Sequence, residues 1–113
     1  MLEWLRQYCL SLPHATECIQ WGESLVFKVA GKCFAIAALE PRQYILSLKC
    51  NPDTFAEWLE RPGVAPAPYL ARAKWIALEN DNGLTHAELK ALVRESYDLV
   101  YAKLPKRVKA ELN

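Results

Sequence analysis

Along this chain the spacing of apolar positions changes from helical to alternating and back, and each change marks an element. Residues 2–12 set Leu2, Leu5, Cys9 and Leu12 three or four apart with Trp4 and Tyr8 beside them. That is the spacing of an amphipathic packing helix, and Pro13 ends it, because a residue before proline is pushed out of the helical region. The pattern then turns strand-like and predicts strands over 16–21, 25–29, 33–39 and 44–49, with Gly31 and Pro41 marking reversals. Gly31 supplies the positive φ that a tight hairpin turn needs. Leu25, Phe27 and Val29 share one face of this meander. Phe34 and Ile36 are expected opposite them on that face, while Val26 and Lys28 point the other way.

Asn51-Pro52-Asp53 reads as a helix start, with a capping oxygen, a proline at the first helical position and an acid near the positive dipole end. The helix is expected to run to about Glu60 with Phe55, Trp58 and Leu59 as its core stripe, and Arg61-Pro62-Gly63 stops it. Pro66 and Pro68 keep the next segment extended, residues 69–73 suit one helical turn, and residues 74–78 form the last strand before a turn at Asp81-Asn82-Gly83. Thr85-His86-Ala87-Glu88 is a capping-box pattern, and Leu89, Leu92, Val93, Tyr97, Val100 and Leu104 then trace a long amphipathic helix. Pro105 opens a short terminal helix over 106–112. The order α-β-β-β-β-α-β-α predicts an α+β fold: a single antiparallel sheet of about five strands covered on one face by the N-terminal helix and the long C-terminal helix.

Composition adds bounds rather than elements. At 113 residues, 52% hydrophobic and 24% charged, residues 1–113 form one domain that needs no metal or disulfide staple. No apolar run is long enough for a membrane span, and no basic segment followed by an apolar stretch opens the chain, so a cytoplasmic protein without membrane contact is expected. Fourteen basic and thirteen acidic residues give a net charge of +1. Dedicated nucleic-acid binders usually carry a basic excess, so only a local cluster could support that function. Cys9, Cys18, Cys33 and Cys50 form no C-x-x-C pair and read as small apolar core residues, with neither a disulfide nor a metal expected.

Candidate chemistry is sparse. His14 and His86 each have an acid nearby, Glu17 and Glu88, but lie in a Pro-flanked loop and a capped first turn with no paired-ligand spacing, so both read as solvated. There is no nucleophile elbow, phosphate-binding glycine loop or dinucleotide fingerprint, and the expectation is a protein with no catalytic residue and no cofactor. Ser96, beside the stripe of the long helix, either bonds a carbonyl one turn back or reaches across to the sheet. Among the aromatic residues Trp58 and Tyr97 fall on core stripes and Trp75 is placed to pin a loop, which leaves Trp21 and Tyr69, in or beside loops, as the better candidates for base stacking. Lys28 and Lys32 flank the hairpin tip, Lys49 ends the fourth strand, and Arg72 and Lys74 precede the last strand. A fold that joins those loops would make a positive patch. Lys103, Lys106, Arg107 and Lys109 read instead as cations complementing a helix C-terminus.

Several features recur in one order: the hairpin Gly31-Lys32-Cys33-Phe34, Leu48-Lys49 before Pro52, Gly63-Val64-Ala65-Pro66, Tyr69-Leu70, Trp75 and Ser96-Tyr97. In that order and spacing the chain resembles the MmcQ/YjbR family of small bacterial proteins over nearly its whole length. The resemblance implies a CyaY-like fold with two β-wings proposed to contact double-stranded DNA. Carried onto this chain, it implies weak phosphate contacts without sequence preference through Lys28, Lys32, Lys49, Arg72 and Lys74. Many relatives carry a His-Met/Leu-Asn-Lys-type run between Tyr69 and Trp75, where this chain reads Leu70-Ala71-Arg72-Ala73-Lys74. The iron chemistry of frataxins, which share the sheet topology class, does not carry over, because Glu3 is the sole acid of the first helix. The alternative is a protein-interaction or small-ligand-binding domain using the Pro-rich loop before Trp75. An enzyme ranks third, since it would need His14 or His86 to converge with a nucleophile.

Overall fold

A two-residue turn and a bulge set the geometry of the sheet. The structure, a computed structural model, describes residues 2–40, 42–68, 70–80 and 84–112. Helix α1 (Leu2–Ser11) leads into strands β1 (Ala15–Gln20), β2 (Ser24–Val29), β3 (Lys32–Ala38) and β4 (Leu46–Lys49). Then come α2 (Phe55–Leu59), β5 (Val64–Pro66), a 3-10 turn (Ala71–Ala73), β6 (Trp75–Leu78), α3 (His86–Ala102) and α4 (Lys106–Leu112). Among the described residues the strands form one antiparallel sheet ordered β1-β2-β3-β4-β6-β5. The sixth strand is β5, from the segment expected to be merely extended. Pro66 is tolerated there because β5 lies at the sheet edge, where a missing amide costs no central ladder bond. The turn expected at 81–83 lies outside the described residues.

Val29 pairs with Lys32, and the two residues between them, Ala30 and Gly31, have φ of 49° and 79°. Two successive positive φ values are the mark of a type I′ turn, whose twist matches that of the strands it joins. Past the turn the register shifts. Lys28 faces Cys33 but Phe27 faces Ala35, so Phe34 is an extra residue in β3. This bulge corrects one sequence expectation. Phe34 joins the main core with Leu25, Phe27 and Val29, but Ile36 falls opposite Val26 and Ser47 on the second face. An inserted residue reverses the facing of everything beyond it, because side chains alternate with period two.

The main core fills the face bearing Phe27, Phe34, Leu46, Leu48, Ile76 and Leu78. It is closed by Leu5 and Cys9 of α1 and by Leu89, Leu92, Val93, Tyr97 and Val100 of α3. The stripes expected on α1 and α3 therefore meet the core, with Leu2 alone of their members only partly buried, and each large apolar side chain fully buried contributes about 1.5–3 kcal/mol. The Tyr97 hydroxyl donates to the Pro13 carbonyl at 2.6 Å, tying α3 to the end of the α1 loop. At the start of α3 the Thr85 side chain accepts from the Glu88 amide at 3.0 Å and Glu88 accepts from the Thr85 amide at 3.1 Å, completing the capping box.

The start of α2 differs from its expected form. The Asn51 side chain accepts from the Asp53 amide at 2.9 Å, which makes an Asx turn, and the helix begins only at Phe55 with Thr54 at its cap. A short side chain that bonds its own backbone two residues on competes with helix formation at that point. Phe55, Trp58 and Leu59 pack against the core while staying partly exposed. On the second face Ala67, Trp75 and Ala77 form a smaller cluster with Cys33, Ile36, Tyr44 and Leu70, so the Pro-rich segment lies down on the sheet.

The turn offers a direct check. Ala30 bears a side chain in the left-handed region, where L residues other than glycine and asparagine are disfavoured by roughly 1–2 kcal/mol. Ala30→Asn is expected to raise the unfolding free energy by about 0.5–1 kcal/mol, read as a higher urea midpoint at unchanged m, and Gly31→Ala to lower it by a similar amount or more.

Candidate functional site: the basic end of the sheet

Antiparallel pairing brings the β2–β3 tip, Lys49 of β4 and Trp75 of β6 to one end of the sheet, since Val29 faces Lys32 and Lys49 faces Trp75. The last turn of α3 closes over the same end. Between them lies a groove of about 360 Å³ lined by Lys32, Cys33, Lys49, Trp75, Val100, Lys103 and Leu104. Its walls are an indole, two aliphatic side chains and a thiol. Its charge is three ammonium groups, from β3, from β4 and from the residue capping α3.

One hydroxyl holds these parts in place. Ser96 is fully buried, and its Oγ donates to the Phe34 carbonyl at 2.6 Å while accepting from the Lys49 amide at 3.0 Å. Of the two sequence readings of Ser96, the reach across to the sheet is the one realised. It takes up the carbonyl of the bulged residue and the amide at the end of β4 in a single contact. The Lys49 main chain is thereby fixed while its side chain remains half-buried and runs into the groove.

Burial, and after it the neighbouring Lys103 ammonium, hold the Lys49 pKa below its usual value. A lysine whose pKa falls on folding binds fewer protons folded than unfolded in the interval between the two values, so its contribution to stability rises with pH there. Near neutral pH, then, a charged Lys49 beside Lys103 works against the fold. No salt bridge among the described residues reaches Lys32, Lys49 or Lys103; the ion pairs are Arg6–Glu17, Arg42–Glu23, Arg61–Glu88 and Arg94–Asp98. Glu95, the acid one helical stretch before Lys103, turns instead to the Asn51 amide at 3.2 Å.

Of the five lysine and arginine positions singled out in the sequence, two line the groove, Lys32 and Lys49. Lys28 stands opposite Cys33 in the register, beside the groove and half-buried. Arg72 is exposed on the 3-10 turn, and Lys74 places its ammonium 5.1 Å from the Phe55 ring centroid, so neither lines the groove. By sequence position Lys103 belongs with the cations at a helix C-terminus. Its spacing from Val100, three residues earlier on the stripe that meets the sheet, was the signal that could have placed it here. Lys109 fits the helix-end expectation, donating to the Ala102 carbonyl at 2.9 Å.

The remaining candidates stay apart. His14 and His86 are both exposed; Glu17 is engaged by Arg6, Glu88 by the cap of α3 and by Arg61, and the His86 ring packs tilted against Trp4 with centroids 4.6 Å apart. Trp75 is 7% exposed and pins the Pro-rich segment, whereas Trp21 is 71% exposed with φ of 55°, at the opposite end of the sheet. Tyr69 lies outside the described residues. The four cysteines are free thiols; Cys9 and Cys50 are buried, and Cys18 and Cys33 half-buried. Desolvation pushes the Cys9 thiol up to about 12 and Cys33 to about 11, the latter against an opposing pull from Lys28.

A second concavity, about 310 Å³, opens on the second face beside Pro68 and is bordered by Ser24, Ile36, Arg42, Gln43, Tyr44 and Ser47. No helix among the described residues is long and apolar enough to cross a membrane.

Comparison with known proteins bears on the whole chain. A family model described as YjbR matches residues 10–99. The protein YjbR of Escherichia coli K12 is 30% identical over 105 residues, covering 89% of this chain and 87% of that protein. YbdF of Escherichia coli O157:H7 is 26% identical over 107 residues, covering 93% of this chain and 88% of that protein. Among solved structures, Deinococcus radiodurans protein DR2400, a DUF419 domain, superposes with a TM-score of 0.85 at 29% identity over 99% of this chain and 87% of its own. A Pseudomonas syringae protein superposes at 0.72 with 19% identity, covering 87% of this chain and 97% of its own, and shares the fold.

Two measurements test this arrangement. Ser96→Ala leaves a buried carbonyl and an amide without their partner, so it is expected to lower stability by roughly 1–3 kcal/mol in urea unfolding. With iodoacetamide near pH 8, Cys9 is expected to stay unlabelled in the native protein and to react only on unfolding, as read by peptide mass, because its thiolate is scarce and its sulfur covered.

Proposed function

The chain belongs to the YjbR family, and from that premise we propose that it binds the phosphate backbone of double-stranded DNA, weakly and without reading sequence, through the basic end of its sheet and the β2–β3 hairpin as a wing. One observation carries this reading: lysines from three separate elements line a single groove whose lining includes no acid. Lysine ammonium groups act as point charges on phosphates, whereas base readout relies on bidentate forks and amides, so contacts of this kind position a duplex without specifying its sequence. Arg72 and Lys74, exposed near the same end, extend the positive surface beyond the groove. A net charge of +1 favours weak, salt-sensitive binding over tight association. Binding rather than catalysis is also favoured by the two histidines, which are exposed and have their neighbouring acids engaged elsewhere. The cytoplasm is the compartment where such a partner is met.

A small-ligand or protein-binding role for the Pro-rich loop has one observation in its favour, the concavity beside Pro68. Arg42, its cation, is already paired with Glu23, and Ala67 and Trp75 of the loop region are turned to the sheet. The basic end is therefore the better-supported site.

The test is a fluorescence-anisotropy titration of a generic duplex at several salt concentrations. The Lys28→Glu/Lys32→Glu variant is expected to keep its fold, to bind every duplex sequence more weakly, and to show a salt slope smaller by roughly two. Unchanged affinity in the variant removes the wing from the mechanism. Absence of wild-type binding at low salt removes the DNA reading altogether.

A further inference from the structure

We propose that the groove between the sheet end and the last turn of α3 is a clamp for a phosphomonoester dianion, with Lys32, Lys49 and Lys103 as its three cations and a 5′-phosphorylated nucleic-acid end as the ligand. This rests on reading the basic end as phosphate-binding, and goes further by naming which phosphate.

Shape comes first. Cations that serve the middle of a duplex need a surface broad enough to meet successive phosphates along a convex backbone. Here Lys32, Lys49 and Lys103 line a recess of about 360 Å³ walled by Trp75, Val100 and Leu104. An internal phosphodiester, esterified on both sides, meets these lysines only at the open rim of the recess, which suffices for weak backbone contact but leaves the interior unfilled. A terminal phosphate is tethered on one side only. It presents three free oxygens and about −1.5 to −2 charge near neutral pH, against roughly −1 for a diester.

Electrostatics agrees with shape. Low-dielectric walls focus the field of charges of one sign. Lys49 and Lys103 stand close enough for the second to depress the ionisation of the first, and no salt bridge among the described residues relieves either. The negative end of the α3 dipole offsets part of this repulsion, but the Ala102 carbonyl there is already engaged by Lys109. A dense anion between the two ammonium groups turns the remaining repulsion into attraction. The Ser96 bond to the Lys49 amide fixes the base of one arm before the ligand arrives, which reduces the ordering that binding requires. Trp75 is too covered to stack on a base and acts as a wall, so the clamp is blind to base identity.

The probe is a DNA hairpin with one open end, made with either a 5′-phosphate or a 5′-hydroxyl and otherwise identical, titrated by anisotropy at constant ionic strength. The phosphorylated hairpin is expected to bind about tenfold more tightly. That ratio should disappear in Lys49→Met/Lys103→Met, whose fold is checked by circular-dichroism melting. Should the double variant melt early, Lys103→Met alone, at an exposed helix end, is expected to narrow the ratio. A second arm adds adenosine monophosphate or inorganic phosphate as competitor: displacement of the phosphorylated hairpin by either, at concentrations where chloride has no effect, supports the clamp and makes free phosphomonoesters a source of ligand. Equal binding of the two hairpins by wild type overturns the clamp and leaves backbone binding standing. Failure of both hairpins while adenosine monophosphate still raises the melting temperature overturns the nucleic-acid end as the ligand and the DNA reading with it; failure of all three ligands overturns the phosphomonoester clamp as well.

Discussion

The buried Ser96 hydroxyl is the contact on which the arrangement of this domain depends. It joins a helix to two strands at the point where regular pairing breaks, donating to Phe34 in the bulge of β3 and accepting from Lys49 at the end of β4. A bulge leaves a carbonyl that the ladder does not serve, and a strand end leaves an amide in the same condition; buried without partners, each would cost free energy comparable to a lost hydrogen bond. One side chain meets both needs. Because α3 must place Ser96 over the bulge, the rest of its stripe settles on the sheet in one register, with Tyr97 reaching Pro13 and Val100 closing the basic end. Leu89, Leu92, Val93, Tyr97 and Val100 pack the helix on the sheet, but apolar surfaces tolerate sliding that a directional bond does not.

Much of the architecture was legible from spacing, because helix stripes and the Thr85 capping box are local patterns with local physical causes. The features that were not legible arose from contacts between distant segments or, at Asn51, from two local structures that the same residues can form. Phe34 carries no mark of being a bulged residue, so strict alternation put Ile36 on the wrong face. Asn51 has the chemistry of both a helix cap and an Asx turn, and the bond to Asp53 decides between them. Strand β5 exists because β6 offers it an edge, a fact of topology that Val64 and Pro66 cannot announce. The candidate site divides in the same way. Lys32 and Lys49 were identified as loop and strand-end cations and do meet, whereas Lys103 belongs to the groove only because α3 crosses the sheet there. Arg72 and Lys74 are close in sequence to Trp75 yet do not line the groove.

Charge is distributed by type as well as by place. All four ion pairs among the described residues use arginine, at Arg6, Arg42, Arg61 and Arg94. Arginine's planar fork suits carboxylates, and these pairs hold acids in fixed positions along the helices and the far side of the sheet. The groove contains lysines only. With the acids held elsewhere, a chain of almost zero net charge can still present a concentrated positive recess, which is why net charge was a poor guide to the local field.

The two ends of the sheet carry opposite characters for a structural reason. At the basic end, the tight β2–β3 turn, the Ser96 bond and the cover of α3 confine the backbone, so lysine side chains project from fixed positions. At the other end β1 and β2 are joined through Trp21 and Gly22, both at positive φ, and Trp21 stands out with Ile19 and Leu39, exposed by 71%, 64% and 38%. A bulky residue in the left-handed region is disfavoured by its own sterics, and an exposed indole gains nothing from burial to offset that. Ala30 and Lys74 at the basic end also take positive φ, so strain does not separate the two ends; cover does, because α3 closes over the lysines and leaves Trp21 exposed. That asymmetry makes the charged end, rather than the exposed apolar one, the preformed surface of the fold.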